Sequence, residues 1–575
     1  MQSRPITANP SQIMVEQLAA SGVKYVFYNS GSREARFFDT LTTHKDINGI
    51  LALHEGSVTA MAGGYTQVKN DVAVMVVHLG AGLAQAMGQL INVWTGSLPV
   101  VVITFAGDTG SFGDPIGLDL SHNFGPRSIA APVTKANWTV IEPEGLPAAI
   151  DRAIRVAKTP PVGPVHIAVY DRLLGDQQVS TNILEGGHHE FRAGYPSDSD
   201  LEQVAMALNE AERPLIYVGD GVWKSGAEAA VTEIAERFGA AVASGFGDLR
   251  GVPIKHPQHA GRIDTAAAAI NPDLVVSIGA RHGGAGLESD YAPFANAQKT
   301  IAIGSDIENL KNMPGLDLAI LADERRASER LLELVQSETT PERYDDRRER
   351  MRGHANALRS QRRAALQSAP AESGKVRPWQ LINALDSELE RRGGGIVTIE
   401  QFAVPQDTHG GDGDPGNNVY IRPAGGSEGY GVGGAIGAKL GAPDTPVVGL
   451  VGDGSVYYAD SGMWTAVHHR IPVLYVVPNN GAYGIVANAF AGADANMKET
   501  GNYSGVVLDG MDPAKIAEGF GVEASNVTNE TTVAESIATG MDIVQRESRP
   551  YLLNVHLPLG LPAGGRKAAP YQLKS

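Results

Sequence analysis

The chain has 575 residues, a net charge of −17 and no cysteine. That length exceeds what one hydrophobic core serves, so three or four domains are expected. The acidity argues against nucleic acid or an anionic membrane as a main partner, and the missing thiols exclude disulfides, thiolate catalysis and zinc–cysteine sites. Residues 1–14 hold no apolar stretch of signal-peptide length, and nowhere does an apolar run approach the ~18 residues of a membrane span, so the expected location is cytoplasmic.

Along the chain, three segments alternate short apolar strands, glycine turns and helical patterns, which predicts an α/β fold of three doubly wound parallel-sheet domains. In the first segment, 1–185, strands are expected at 25–28, 72–77, 100–105 and 164–169. Asn29-Ser30-Gly31-Ser32 follows the first of these. Leu51-Ala52-Leu53-His54-Glu55-Gly56 then leads into a small-residue helix containing Ala62-Gly63-Gly64-Tyr65, and His78-Leu79-Gly80-Ala81-Gly82 closes the second strand. Residues 177–199, rich in Gly, His and Ser, read as a connector. The second segment, 196–340, carries strand patterns at 215–218, 240–243, 274–278 and 300–303. Its Gly219-Asp220-Gly221 reads as a turn and does not match the GxGxxG of dinucleotide sites. Residues 341–376 are dense in charge and are expected as a solvated helix or linker. The third segment spans 377–560, and a loose tail is expected from Leu559 onward, with 561–575 outside any domain.

The most informative pattern lies in the third segment. An apolar strand at 447–451 ends in Gly452-Asp453-Gly454, and after a helix-like stretch a second apolar strand ends in Asn479-Asn480. In one βαβ unit both strand ends open on the same sheet edge, so Asp453 and Asn480 converge. Flanking glycines let the backbone approach phosphate oxygens. A hard cation such as Mg²⁺ takes oxygen ligands, commonly one or two side chains plus substrate phosphates.

These residues resemble the GDG…NN signature of thiamine diphosphate (ThDP) enzymes, whose halves stand roughly two dozen residues apart, as they do here across residues 455–478. The layout from end to end resembles the pyruvate decarboxylase and acetohydroxyacid synthase branch, with its pyrimidine-binding, central Rossmann-like and diphosphate-binding domains. The resemblance implies ThDP and Mg²⁺ as cofactors, with Asp453, the Asn480 side chain and the Ala482 carbonyl on the metal. Gly426, Gly452, Gly454, Ser455, Tyr458 and Tyr483 would then lie near the cofactor. It also implies a homodimer or homotetramer whose sites lie between subunits, acting on a small-molecule substrate.

The HEG…GY pattern resembles the family element in which the glutamate, here Glu55, bonds the cofactor pyrimidine and promotes ylide formation. A buried carboxylate is suited to hold that proton. Motifs around His78 and Ser32 resemble benzoylformate decarboxylases, where such residues relay protons and contact the substrate carboxylate. His282 is the nearest counterpart of their second histidine, although its offset from the preceding strand differs. The same turn lacks the Arg-Phe-Asp-Asp-Arg of FAD-containing relatives.

A departure lies in Gly425-Gly426-Ser427-Glu428-Gly429-Tyr430, where Glu428 occupies the place of a bulky aliphatic that props the cofactor. Glu428 is therefore a candidate acid or base. Glu400 and His409 are further polar candidates at that edge, and His468-His469 read as packing residues. The expected reaction is decarboxylation of a 2-oxo acid to an aldehyde through a C2 ylide and an enamine. The alternative is a carbon–carbon lyase or carboligase acting on a 2-hydroxy ketone or 2-hydroxyacyl thioester. Intact Glu55 and metal residues argue against a catalytically silent subunit.

Overall fold

The computed structural model describes residues 2–106, 125–185, 193–245, 249–281, 296–313, 315–336, 341–401, 403, 417–493, 495–508 and 510–567. The N-terminal unit contains β1 (Gln2–Ala8), β2 (Tyr25–Tyr28), β3 (Asn48–Leu51), α1 (Glu55–Lys69), β4 (Ala73–His78), α2 (Leu79–Thr95), β5 (Val100–Ala106), β6 (Ala136–Val140), β7 (Val165–Tyr170) and β8 (Val179–Glu185). Six strands form a parallel sheet in the order β3-β2-β4-β5-β7-β6. Strands β4 and β5 are continuous apolar runs because helices cover both faces. The stretch expected as a connector begins instead with a strand, since β8 pairs antiparallel with β1. Only Val179 and Ile183 of β8 are buried, so its alternation is diluted among polar residues.

The central unit contains β9 (Pro214–Val218), α3 (Asp220–Ser225), β10 (Ala241–Ser244), β11 (His259–Arg262), β12 (Leu274–Ile278), β13 (Lys299–Gly304) and β14 (Leu318–Leu321), in the sheet order β11-β10-β9-β12-β13-β14. The charged stretch that follows folds as α4 (Asp345–Gln367), but it is not wholly solvated. Arg347, Met351, Ala355 and Leu358 are buried on its inner face, and the Arg347 guanidinium donates to the carbonyls of Phe238 (2.8 Å) and Leu208 (2.9 Å). Burial pushes that guanidinium down to about 10. The helix is thus a strut of the central unit.

The C-terminal unit contains β15 (Ile396–Glu400), β16 (Val419–Ile421), α5 (Gly431–Gly441), β17 (Val447–Val451), α6 (Asp453–Val456), α7 (Gly462–His468), β18 (Leu474–Asn479), β19 (Glu523–Val527) and β20 (Tyr551–His556). Its sheet order is β16-β15-β17-β18-β20-β19. Counted within each unit, the first and third sheets therefore share one order, 2-1-3-4-6-5, whereas the central sheet follows 3-2-1-4-5-6. In an open parallel sheet, ligands bind outside the carboxyl ends of the strands where the order reverses. Those switch points fall between β2 and β4, β9 and β12, and β15 and β17.

The first and third units share one core, in which Met61 and Ala62 of α1 pack with Val432, Ala435 and Ile436 of α5. The two helices approach at their glycines. A Cβ on Gly64 would lie 2.1 Å from the Gly434 carbonyl oxygen, and one on Gly437 would lie 1.9 Å from that of Met61. Residues 559–567, expected as a loose tail, fold back along the β18 loop: Gly560 N–H donates to Asn480 O (2.9 Å), and Leu561 packs on the Ala487–Tyr503–Val506 cluster.

Candidate active site

At the β15–β17 switch point, Asp453 opens α6 directly after β17 and is 6% exposed. Its Oδ2 accepts the Gly481 N–H at 2.8 Å, which ties the two halves of the motif together. Gly481 takes a φ of +63°, and Asn480 Oδ1 accepts the Ala482 N–H at 3.1 Å. Burial raises the Asp453 carboxyl to about 6, against the backbone N–H groups that favour its charge. Among the described residues no Lys or Arg stabilises its charge. A buried carboxylate compensated only by amide dipoles is electrostatically incomplete, and a cation completes it. Among the described residues no cluster of three His, Asp or Glu side chains could hold a metal. The oxygens that the two motif halves offer are of mixed type: the Asp453 carboxylate, the Asn480 amide and the Ala482 carbonyl.

The surroundings fit a diphosphate group. A Cβ on Gly454 would come within 2.5 Å of the Tyr483 ring, so only glycine lets α6 and that ring pack together. Tyr483 shares a hydrogen bond with the exposed Tyr458. Ser455 Oγ donates to Glu428 Oε2 at 2.5 Å. Gly426, exposed, has a φ of +70°, and Gly452 N–H is bound by the Glu400 carbonyl at 2.8 Å.

Glu400 proves to be a buried clamp. Its two oxygens accept the N–H groups of Gly429 (2.9 Å), Tyr430 (2.8 Å) and Gly431 (2.7 Å), fixing the turn that presents Glu428. Burial, followed by the nearby Glu428 charge, raises Glu400 to about 8. Arg422, buried and pushed down to about 10 by burial, lies in the field of both carboxylates.

In the N-terminal unit, Glu55 is the first residue of α1 and is 6% exposed. Its side chain faces the first turn of α2, where a Cβ on Gly82 would lie 3.1 Å from Glu55 Oε1. Among the described residues no side chain or N–H hydrogen-bonds that carboxylate. His78 ends β4, next to the β2–β4 switch point. Its Nδ1 lies 2.6 Å from Oε1 of Glu34, a residue the sequence reading passed over. Ser32, exposed, opens the single 3₁₀ turn that ends at Glu34.

Helix α2 links the two halves. Its first turn touches Glu55, and about 10 Å further along Gln89 Nε2 donates to the Glu428 carbonyl at 2.7 Å. Asn92 Nδ2 likewise donates to the Ser427 carbonyl (2.7 Å), and Asn92 Oδ1 accepts the Ser427 N–H. His282 and His409 lie outside the described residues. His468 stacks on Trp464, and His469 Nε2 accepts the Leu51 N–H at 3.0 Å, so both serve packing. Gln89 and Asn92 were not legible as site residues, because on a helix they read as ordinary polar positions.

Three family models match in chain order. These are the N-terminal TPP binding domain of thiamine pyrophosphate enzymes over residues 9–124, their central domain over 201–331 and their C-terminal TPP binding domain over 414–555. The chain is 28% identical to benzoylformate decarboxylase of Pseudomonas aeruginosa over 560 residues, covering 94% of this chain and 97% of that protein. It is 25% identical to the acetolactate synthase large subunit of Lactococcus lactis, covering 96% and 94%. The solved structure of the Rhodococcus jostii thiamine diphosphate-dependent 4-hydroxybenzoylformate decarboxylase superposes with a TM-score of 0.78 at 24% identity, covering 96% of this chain and 99% of that one. That superposition establishes the shared three-domain fold.

Proposed function

Because the chain belongs to the thiamine pyrophosphate enzyme family, we propose that it decarboxylates a 2-oxo acid to an aldehyde, with ThDP held through Mg²⁺. The observation that carries the reading is the presence of two buried carboxylates beyond strand ends, Asp453 after β17 and Glu55 after β3. Asp453 is compensated only by backbone amides, and Glu55 has no partner among the described residues. The first suits a divalent cation and the diphosphate it bridges, and the second suits a protonated ring nitrogen.

Bound there, ThDP supplies the electron sink that lets a 2-oxo acid lose CO2. The protein supplies the rest. Asp453, Asn480 and the Ala482 carbonyl hold the cation, and Gly452, Gly454, Ser455, Tyr458 and Tyr483 shape the diphosphate cradle. Glu55 would hold a proton at the cofactor's pyrimidine, and Gly426 and Glu428 would line the turn beside the cofactor. His78 moves a proton to or from substrate, with Ser32 beside the substrate carboxylate. The similarity to benzoylformate decarboxylase, together with this Ser32 and His78 pair, favours an aromatic 2-oxo acid over an aliphatic one. Exposed Ile91 and Trp94 on α2, and Ile485, Val486 and Phe490 after Tyr483, suit burial against a second copy in a homodimer or homotetramer.

The test is incubation with ThDP and Mg²⁺ against aromatic and aliphatic 2-oxo acids, scoring CO2 and aldehyde together. Release of both, reduced by on the order of 10²–10⁴-fold in Glu55→Gln, supports the reading. Cofactor binding without CO2 from any acid would instead favour carbon–carbon ligation or cleavage of a 2-hydroxy ketone. Glu428, in place of an aliphatic, is the observation behind that second reading.

A further inference from the structure

Glu34 is 1% exposed, and burial raises its carboxyl above the ordinary carboxylate value while its contact with His78 opposes that shift. Oε1 meets His78 Nδ1 at 2.6 Å, and Oε2 is buried with no hydrogen-bond partner. Among the described residues the charged or titratable groups acting on Glu34 are His78 and its neighbour Arg33. A carboxyl with one satisfied and one orphaned oxygen is costly to bury. Stability therefore does not account for its burial.

The backbone around the pair is equally constrained. A Cβ on Gly31 would lie 2.0 Å from His78 Nδ1, so only glycine lets the ring occupy this place. Leu79, directly after the histidine, has a φ of +54°, a left-handed conformation that a branched side chain rarely adopts. The pair bridges β2 and β4 across the switch point, from the 3₁₀ turn that follows β2 to the last residue of β4.

We infer that Glu34 is the positioning residue for His78. Its buried carboxylate holds the proton on Nδ1, fixes the ring plane and leaves Nε2 as the one ring nitrogen free to exchange a proton with substrate. The physics is that of a histidine whose working nitrogen is chosen by the hydrogen bond made at the other. Nε2 has no partner among the described residues. This inference rests on the reading of His78 as an active-site group.

Glu34→Gln keeps the volume but lets the carboxamide either accept from Nδ1 or donate to it, so the tautomer is no longer imposed. In the ¹⁵N-histidine spectrum of the full-length protein, assigned by loss of signals in His78→Ala, the wild type shows a protonated Nδ1 and a bare Nε2. In Glu34→Gln the two forms become mixed. With the 2-oxo acid that the panel identifies, kcat falls about 10–100-fold, KM stays within about threefold, and the limb of the pH profile that His78→Ala removes shifts. In the His78→Ala background, Glu34→Gln lowers kcat no further, since the two act as one unit.

An unchanged tautomer in Glu34→Gln overturns the inference, as does a full additional loss in the double variant. A changed tautomer with turnover untouched in both single variants upholds the positioning and removes His78 from the reaction instead. Should Glu34→Gln fail to fold, Glu34→Met, which removes the buried charge at similar volume, carries the same spectral test.

Discussion

Among the described residues the tripeptide Gly-Asp-Gly occurs twice at a sheet switch point, after β9 and after β17, with opposite outcomes. Asp220 is surrounded by positive groups: Trp223 Nε1 donates to it at 3.0 Å, and Arg281 and Lys224 approach to 3.3 and 3.9 Å. Among the described residues Asp453 has amide N–H groups and no cationic side chain. The first aspartate is neutralised by its own protein, and the second, on the proposed reading, is left for an outside cation. Sequence motif and strand position are shared. What separates a structural aspartate from a ligand is whether the fold already supplies the counter-charge.

The largest test of that contrast replaces each aspartate in turn. Asp453→Ala is expected to weaken cofactor binding in Mg²⁺ by on the order of 10³-fold, equivalent to about 4 kcal/mol, measured by titration of the apoprotein with ThDP. Asp220→Ala should leave that affinity within about twofold. It should cost about 1–3 kcal/mol of stability in denaturant unfolding, because the partly buried Arg281 loses this carboxylate while Lys224 keeps the Gly96 carbonyl at 2.7 Å. Equal effects on cofactor affinity would erase the distinction.

A pH series sharpens the same comparison. Asp453 has a folded-state value of about 6, above that of an ordinary carboxylate. Between roughly pH 4 and pH 6 the metal-free native state therefore binds more protons than the unfolded chain, and the contribution of Asp453 to stability declines as pH rises through that window. Cation binding requires the ionised form, so affinity should fall about tenfold per pH unit below about 6 and level off above it. Thermal shifts produced by Mg²⁺ and ThDP at pH 5, 6 and 7 would grow and then plateau. Asp453→Asn should flatten the series, and Asp220→Asn should leave it intact.

A smaller effect is expected at Glu428, where the turn held by Glu400 presents a carboxylate instead of an aliphatic. Glu428→Leu should change turnover by no more than about tenfold while removing one limb of the pH profile. Full turnover with an unaltered profile would show that only the methylenes matter.

What could be read from sequence follows the same physics. Strand β17 and the convergence of the Asp453 and Asn479–Gly481 loops were legible because apolar runs and a single crossover determine them locally. Glu34 was not, since its meaning depends on β4 lying beside β2, an adjacency created by a crossover through β3. Helix α4 misled for a related reason: Arg347 looks solvated in a charge run, yet its guanidinium is buried against carbonyls at the ends of two other elements. Strand β8 was hidden because an edge ribbon with one buried face offers only two buried apolar residues, Val179 and Ile183, among polar ones. Local patterns report local structure, and long-range polar partnerships leave no periodic trace.

The tail is the last place where this distinction can be tested. Asn480 is fixed on one side by Asp453 through Gly481 and on the other by Gly560, where a Cβ would stand 2.3 Å from Asn480 Nδ2. The contact is too close for any side chain, so Gly560→Ala must displace the amide that faces the proposed cation. A shift of a few tenths of an ångström in one of several oxygen donors is worth about one pK-sized step, or roughly tenfold in metal-dependent ThDP affinity, the range seen when groups supporting a ligand are altered. Removing the tail before Leu559 abolishes the clash along with the contact, and leaves Asn480 free to reach the metal on its own. Gly560→Ala should therefore bind cofactor more weakly than the truncated chain, an order of effects that a merely covering tail would reverse.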